Sequence, residues 1–319
     1  MITVLLLMAA QVAIAADRVA LVIGNAAYQA IPALDNPGND ARLIAERLRA
    51  LEFDVTLELD LPYRGMRLAI REFGEVLDRA GSDAIAVIYY AGHAVQLSGA
   101  NYLLPVDARI NDASDISVDG LHLDTLLHQI DHAAPAASIV ILDACRDNPF
   151  GSRVTLSPGL AQTGAPRDTL LAYSTAPGQV ALDGAGANSP YTAALADALV
   201  QPGVTIEAMF KSVRRAVLAE TGGMQTPWES SSLTRTVAFG PQTPSDAQPA
   251  AGSLAANWDV LGWTDMTGPQ RAAWAALGWS AASWAGEIDP PASDDESWDN
   301  LTDQQRIAAM ALGYSEDNW

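Results

Sequence analysis

Two runs of this chain constrain its fold more than any other feature. DAIAVIYYAGHAV (Asp83 to Val95) and SIVILDACRDNPF (Ser138 to Phe150) each hold consecutive apolar, largely β-branched residues that then give way to small or charged ones. Uninterrupted apolar runs of this length are the pattern of parallel strands covered on both faces, since a strand with one wet face would alternate. His93 and Cys145, the only cysteine in the chain, are therefore expected just past the carboxyl ends of two central strands. In open α/β sheets, that edge collects ligands and catalytic groups.

The segments around these runs alternate between strand and helix patterns. Strand RVALVIG (Arg18 to Gly24) precedes a loop rich in Asn, Pro and Gly, then a helix from Asn39 to Leu51 with Ala41, Ile44, Ala45 and Leu48 on its apolar face and Arg42, Glu46 and Arg49 outward. Strand FDVTLEL (Phe53 to Leu59), a helix from Tyr63 to Arg79 and a helix over Leu121 to Asp131 follow. Alternation of this kind predicts an α/β fold with a mostly parallel central sheet and helices on both faces. Gly151 to Arg167 has no apolar periodicity and reads as a mobile surface loop. Regular structure is expected again at TLLAYST (Thr169 to Thr175), in helices at Ser189 to Val200 and Thr205 to Glu220, and in a last strand LTRTVAF (Leu233 to Phe239).

A chain of 319 residues that is 49% hydrophobic has room for one large core and something small beside it. Its net charge of −20 argues against nucleic acid, which selects basic surfaces, and would attract basic peptides. Residues 1–15 end in Ala13-Ile14-Ala15, a small-x-small pattern after an apolar run too short to span a bilayer. This reads as a secretory signal, so the mature protein is expected to be exported, periplasmic or secreted, with no membrane span. A single cysteine excludes an internal disulfide, and a lone thiol in an oxidising compartment invites a chemical role.

The residues YYAGH, followed roughly fifty positions later by LDACR, resemble the caspase-like cysteine peptidases, and within them the metacaspase and paracaspase branch of bacterial caspase-domain proteins. The resemblance covers residues 17–240: a large segment (17–150), a linker (151–168) and a small segment (169–240). It implies that Cys145 attacks the scissile carbonyl and His93 protonates the leaving amine. It also implies an oxyanion hole formed by the backbone N–H groups of Cys145 and Ala94, where the family has glycine in place of Ala94. Arg153 and Arg167 fall in the linker that many members cleave, and so are candidate sites of self-processing.

Specificity follows from charge. Asp143 stands two residues before Cys145, so strand alternation sets a carboxylate on the nucleophile's side of the sheet. This is similar to the acidic pocket of metacaspases and paracaspases, and Asn39-Asp40-Ala41 is similar to the start of their first helix, whose aspartate lines that pocket. Asp183 is a third candidate. Converging carboxylates would select an arginine or lysine side chain, because a buried cation needs paired charge. The residues leave open whether calcium is required, as in some metacaspases; no other cofactor is implied.

Other constellations fit less well. His128 and His132 are four apart on a helix, but the position where a zinc protease needs glutamate holds Gln129, so a solvated helix end is expected there. His122 has no evident partner in the sequence. The glycines at Gly184 and Gly186 lack the following lysine of a phosphate loop.

A Pro, Ala and Ser-rich linker (241–257) leads into residues 258–319, a tandem repeat. Trp263, Gln270-Arg271, Leu277-Gly278 and Trp284 recur at an offset of 35 as Trp298, Gln305-Arg306, Leu312-Gly313 and Trp319. Each unit reads as Trp, a Thr cap, one short helix, a Gly stop and a closing Trp, giving a small helical Trp-repeat region that packs on itself or docks an unknown partner. Three functions remain open on sequence: a cysteine endopeptidase acting on basic peptides, a catalytically inactive caspase-fold scaffold, and a hydrolase using the same dyad on another substrate.

Overall fold

The computed structural model of the protein describes residues 17–239 and 262–319, apart from 146–147, 152–153, 155, 158, 180, 185, 265, 267, 295, 313, 315 and 317–318. The expected signal (1–15), the linker (241–257) and Arg153 lie outside the described residues. The chain divides into two compact units, with the boundary between residues 245 and 246.

The first unit is the α/β body. In chain order it comprises β1 (Arg18–Gly24), α1 (Pro37–Ala50), β2 (Asp54–Leu59), α2 (Tyr63–Ala80), β3 (Ile85–Leu97), β4 (Ala100–Leu103), α3 (Ala113–Asp119), β5 (Leu121–His122), α4 (Leu123–Ala133), β6 (Ala137–Cys145), β7 (Thr169–Tyr173), α5 (Pro190–Leu199), α6 (Ile206–Glu220) and β8 (Trp228–Ser231). The main sheet runs β2-β1-β3-β6-β7-β8, and only β8 is antiparallel to its neighbour. The two apolar runs become its central strands, β3 and β6.

Successive residues of these strands feed opposite layers. Val87, Tyr89 and Ala91 of β3 and Ile139 and Ile141 of β6 pack with α1, α5 and α6. Ile88, Tyr90 and Ala94 of β3 and Val140, Leu142 and Ala144 of β6 pack with α2 and α4. In α1, Ala41, Ile44, Ala45 and Leu48 are fully buried, as the helical periodicity requires. The helix lies close enough to β1 that a Cβ on Gly24 would stand 2.5 Å from the Pro37 carbonyl oxygen.

Three expectations are corrected. The strand carrying His93 does not stop there; it runs to Leu97 and turns through Ser98 (φ 53°) and Gly99 (φ 83°) into β4, the positive φ pair of a tight hairpin. The last strand is Trp228–Ser231 rather than Leu233 to Phe239, and the latter segment instead buries Val237 and Phe239 in the core. The connection after Phe150 is expected at the surface, but described residues of it pack against the body. Asn101 of β4 donates to the Ala161 carbonyl at 2.8 Å and receives its N–H at 2.8 Å, while Val154 and Leu160 are buried.

The second unit repeats itself in structure as in sequence. Helix α7 (Gly268–Ala276) and α9 (Asp303–Ala311) occupy equivalent positions in the two repeats, with the short α8 (Ala281–Trp284) in the first. Thr302 caps α9 in a capping box with Gln305. The two helices pack around Met266, Trp274, Leu277, Ala308, Ala309 and Leu312, with a surrounding ring of partly buried tryptophans. Among the described residues, no helix is long and apolar enough to cross a membrane.

Candidate active site

His93 and Cys145 form the last pair in the parallel register of β3 and β6. They lie at the paired edge of the sheet rather than just past it. Backbone hydrogen bonds hold the histidine from both sides: its N–H donates to the Tyr28 hydroxyl at 2.7 Å, and its carbonyl receives the Tyr90 hydroxyl at 2.8 Å and the Leu104 N–H at 2.9 Å. The Tyr28 ring lies 4.7 Å from the imidazole, which is buried. His93 Nε2 meets the Pro32 carbonyl oxygen at 2.9 Å. Because a carbonyl can only accept, the neutral ring carries its proton on Nε2, and Nδ1 keeps the lone pair. A backbone carbonyl thus orients the ring as a carboxylate does in a triad.

The hairpin fixes the direction of the next amide. Leu104 N–H bonds to His93 O, which makes Ala94 and Leu103 a non-hydrogen-bonded pair. Residues 91 and 93 direct their polar groups to the β1 and β4 side, since the Ala91 carbonyl receives the Asn25 N–H. By alternation, the Ala94 N–H points to the other side, where β6 ends at Cys145. Ala94 has no positive φ; the unusual conformation falls on Gly92 (φ 152°). A Cβ on Gly92 would meet the Tyr28 and Tyr90 hydroxyls at 2.6 and 2.8 Å. Gly92→Val is expected to destabilise the protein by about 2–4 kcal/mol, read as a lower urea midpoint at unchanged m-value. A variant as stable as the parent would show that the tyrosine clamp on His93 is not close-packed.

Three expected carboxylates come together beside these strand ends. Asp143 is buried, and its Oδ2 receives Ser189 Oγ at 2.5 Å, Thr192 Oγ1 at 2.7 Å and Tyr89 Oη at 3.5 Å. Burial pushes its carboxyl above the ordinary range, and the hydroxyl bonds oppose this only in part. Asp40, also buried, receives Asn188 Nδ2 at 2.8 Å and the Ser189 N–H at 3.1 Å. Its pKa is pushed up to about 7, first by burial and then by the negative charge of Asp143. Asp183 is half-buried and likewise raised by burial and by Asp143. The segment carrying it is clipped to the start of α1 by Asn36, which donates to the Asp183 carbonyl at 2.5 Å, and by Asn39, which donates to Ala187 at 3.1 Å. None of the ion pairs among the described residues involves these three carboxylates.

The remaining expected residues lie apart from this cluster. Arg167 is exposed beside Asp168 at 3.3 Å, directly before β7. His128 and His132 are both exposed on α4. His122 does have a partner: it caps α4, its Nδ1 receiving the Asp124 N–H at 3.1 Å.

Sequence reasoning missed Tyr28, Pro32, Tyr89, Tyr90, Asn188, Ser189 and Thr192. The adjacent pair Tyr89-Tyr90 was the available signal. Neighbouring strand residues face opposite ways, so two fully buried tyrosines in a row must each find a polar partner in a different layer. Tyr89 reaches Asp143 and Thr192, and Tyr90 reaches the backbone around His93.

The Peptidase_C14 family model, the caspase domain, matches residues 17–238. Among curated proteins, mucosa-associated lymphoid tissue lymphoma translocation protein 1 of Homo sapiens and its Mus musculus homolog are each 30% identical over 171 residues, which is 53% of this chain and 20% of theirs. The chain thus spans about a fifth of the length of the curated relatives it matches. With the domain matched from the first strand of the sheet to the segment after its last, the chain belongs to the caspase-like cysteine peptidase family.

Proposed function

We propose that the protein is a cysteine endopeptidase that cleaves peptide bonds after arginine or lysine. The observation that carries this reading is the group of Asp40, Asp143 and Asp183 beside the His93–Cys145 register pair. Each is raised by burial, and no ion pair among the described residues compensates them. Buried carboxylates held near one another without a cation are unfavourable, and a guanidinium or ammonium arriving from the substrate would relieve them. A substrate aspartate in the same place would add a further negative charge.

In this mechanism the Cys145 thiol gives its proton to His93 Nδ1, and the thiolate adds to the scissile carbonyl. The developing oxyanion lies between the N–H groups of Ala94 and Cys145. The C–N bond then breaks as the His93 imidazolium returns the proton to the leaving amine. Water hydrolyses the thioester, restoring the thiol and releasing the new carboxyl end. Basic protein segments are the proposed substrates, with no nucleic acid involved. Arg167 is retained as a self-processing site because its side chain is exposed ahead of β7. Export through residues 1–15 is part of the same proposal.

The test uses protein from Ala16 onward, with fluorogenic peptides ending in Arg, Lys or Asp, with and without calcium, beside a Cys145→Ala control. Cleavage after Arg or Lys that disappears in the control supports the endopeptidase. A folded protein that cleaves none of them and leaves its own linker intact would favour the interaction scaffold instead.

A further inference from the structure

The second unit holds a cavity of about 730 Å³ whose walls include Trp274, Trp298, Tyr314 and Trp319. Three carboxylates, Glu296, Asp299 and Glu316, share the same lining. The internal repeat supplies its own control. In the first repeat, Trp279 and Trp284 pack on a fourth indole, Trp274, with ring centroids 5.9 Å from Trp274 to Trp279 and 4.9 Å to Trp284, and Trp263 packs on Trp284 at 6.0 Å. Their counterparts in the second repeat, at the offset of 35, are Trp298, Tyr314 and Trp319, but the fourth position is Ala309. The ring that faces this second cluster is Trp274 of the first repeat, 6.0 Å from Tyr314 between centroids, and the cavity is bounded by these rings.

The charges follow the same division. At the positions of Glu296, Asp299 and Glu316, the first repeat has Leu261, Thr264 and Ala281. Since the first repeat places its aromatic rings without these carboxylates, packing does not require them. Rings provide flat apolar faces that attract cations, and carboxylates provide acceptors for N–H donors. A guanidinium satisfies both, stacking on an aromatic face while donating in its own plane; a quaternary ammonium has no proton to donate.

We propose that this cavity is a binding site for an arginine side chain of a basic peptide, separate from the carboxylates near Cys145. The site takes the guanidinium against Trp298, Tyr314 or Trp319 and pairs it with Glu296, Asp299 and Glu316. It makes the Trp repeats a recruitment module for cationic segments, and it does not depend on the catalytic reading of the first unit.

The experiment is an indole N–H NMR titration of the full chain from Ala16 onward carrying Cys145→Ala, so that no probe is cleaved. The probes are acetyl-arginine amide, its citrulline analogue and choline. The expected result is saturable movement of the Trp298 and Trp319 signals with the arginine probe, at least tenfold weaker with citrulline or choline, while Trp263 stays in place. Changing Asp299→Thr and Glu316→Ala, which installs first-repeat residues that the repeat tolerates, should weaken arginine binding at least tenfold with an unchanged circular dichroism spectrum. Equal response to citrulline, tighter binding of choline, insensitivity to the two substitutions, or no movement at all would each overturn the proposal. Because the readout is confined to tryptophans of the second unit, failure here is distinguishable from failure to cleave peptides.

Discussion

His93→Ala is expected to lower kcat/KM for arginyl peptides by about 10³–10⁴, the scale on which a positioned acid–base group acts. The imidazole is fixed by Pro32 O on Nε2, by the Tyr28 ring and by backbone bonds from Tyr28 and Tyr90. Only Nδ1 is then placed to accept and return a proton across the β3–β6 pair. Without it the thiol has no positioned base to take its proton. Alkylation of Cys145 by iodoacetamide should therefore need higher pH in the variant than in the parent. The two backbone bonds to the tyrosines do not involve the imidazole, so the variant should fold, losing about 1–3 kcal/mol for the side-chain contacts. A variant that keeps activity within tenfold of the parent would remove His93 from the mechanism.

The pairing of His93 with Cys145 was legible because both sit in long apolar runs, whose burial on two faces leaves little freedom in placing them. The acidic cluster was legible for a different reason. Asp143 is set by strand alternation, whereas Asp40 was reached through the resemblance of Asn39-Asp40-Ala41 to the start of the metacaspase first helix. What escaped were groups whose role depends on loops closing over the strand ends. Ser189 reads locally as a helix cap before Pro190, and it is one, but the same hydroxyl also donates to Asp143 forty-six residues earlier in the chain. Nothing in the local sequence could show that second bond.

The misplaced last strand has a related cause. LTRTVAF has the alternation and branching that favour a strand, whereas the real edge strand WESS has neither. Strand propensity records how well side chains fit a half-buried surface, and Val237 and Phe239 meet that condition by plugging the core without extending the ladder. Phe239 lies edge-on to Phe53 at 5.2 Å, and its carbonyl receives the Arg18 guanidinium at 2.6 Å. The expected strand is therefore absent there, although two of its apolar residues are buried. The segment 151–167 lacks periodicity, and at Ala161 it is side-chain bonds from Asn101, rather than a ladder, that tie it to β4.

Asp40→Asn should separate the electrostatic strain of the acidic cluster from its use. In the folded protein, Asp40 has a pKa of about 7, well above the ordinary 3.8. Between those values the folded state holds a proton that the unfolded chain has released, so the contribution of Asp40 to stability is full below pH 3.8 and is lost as pH rises through 7. The asparagine keeps an oxygen to accept from Asn188 and the Ser189 N–H, and carries no charge to desolvate. The variant should therefore be more stable than the parent at pH 8 by about 2–4 kcal/mol, with the difference shrinking towards pH 4. Activity should move the other way. The parent's kcat/KM for arginyl peptides should rise with pH through about 7 as Asp40 ionises, beyond any rise seen with a peptide ending in citrulline. The variant should lose that additional rise and about 10–100-fold of its rate at pH 8, the scale of one hydrogen bond to a charged group. Urea midpoints at pH 4 and 8, read beside kcat/KM for both peptides, test the two halves together. A gain in stability without loss of arginine preference would mean that the carboxylate is buried for a reason other than the substrate, whereas loss of both stability and preference would assign Asp40 to holding the α1 end and the Asn188 loop in place. Opposite signs are what a site built to receive a cation requires, because the free carboxylates destabilise the fold until the substrate's charge arrives.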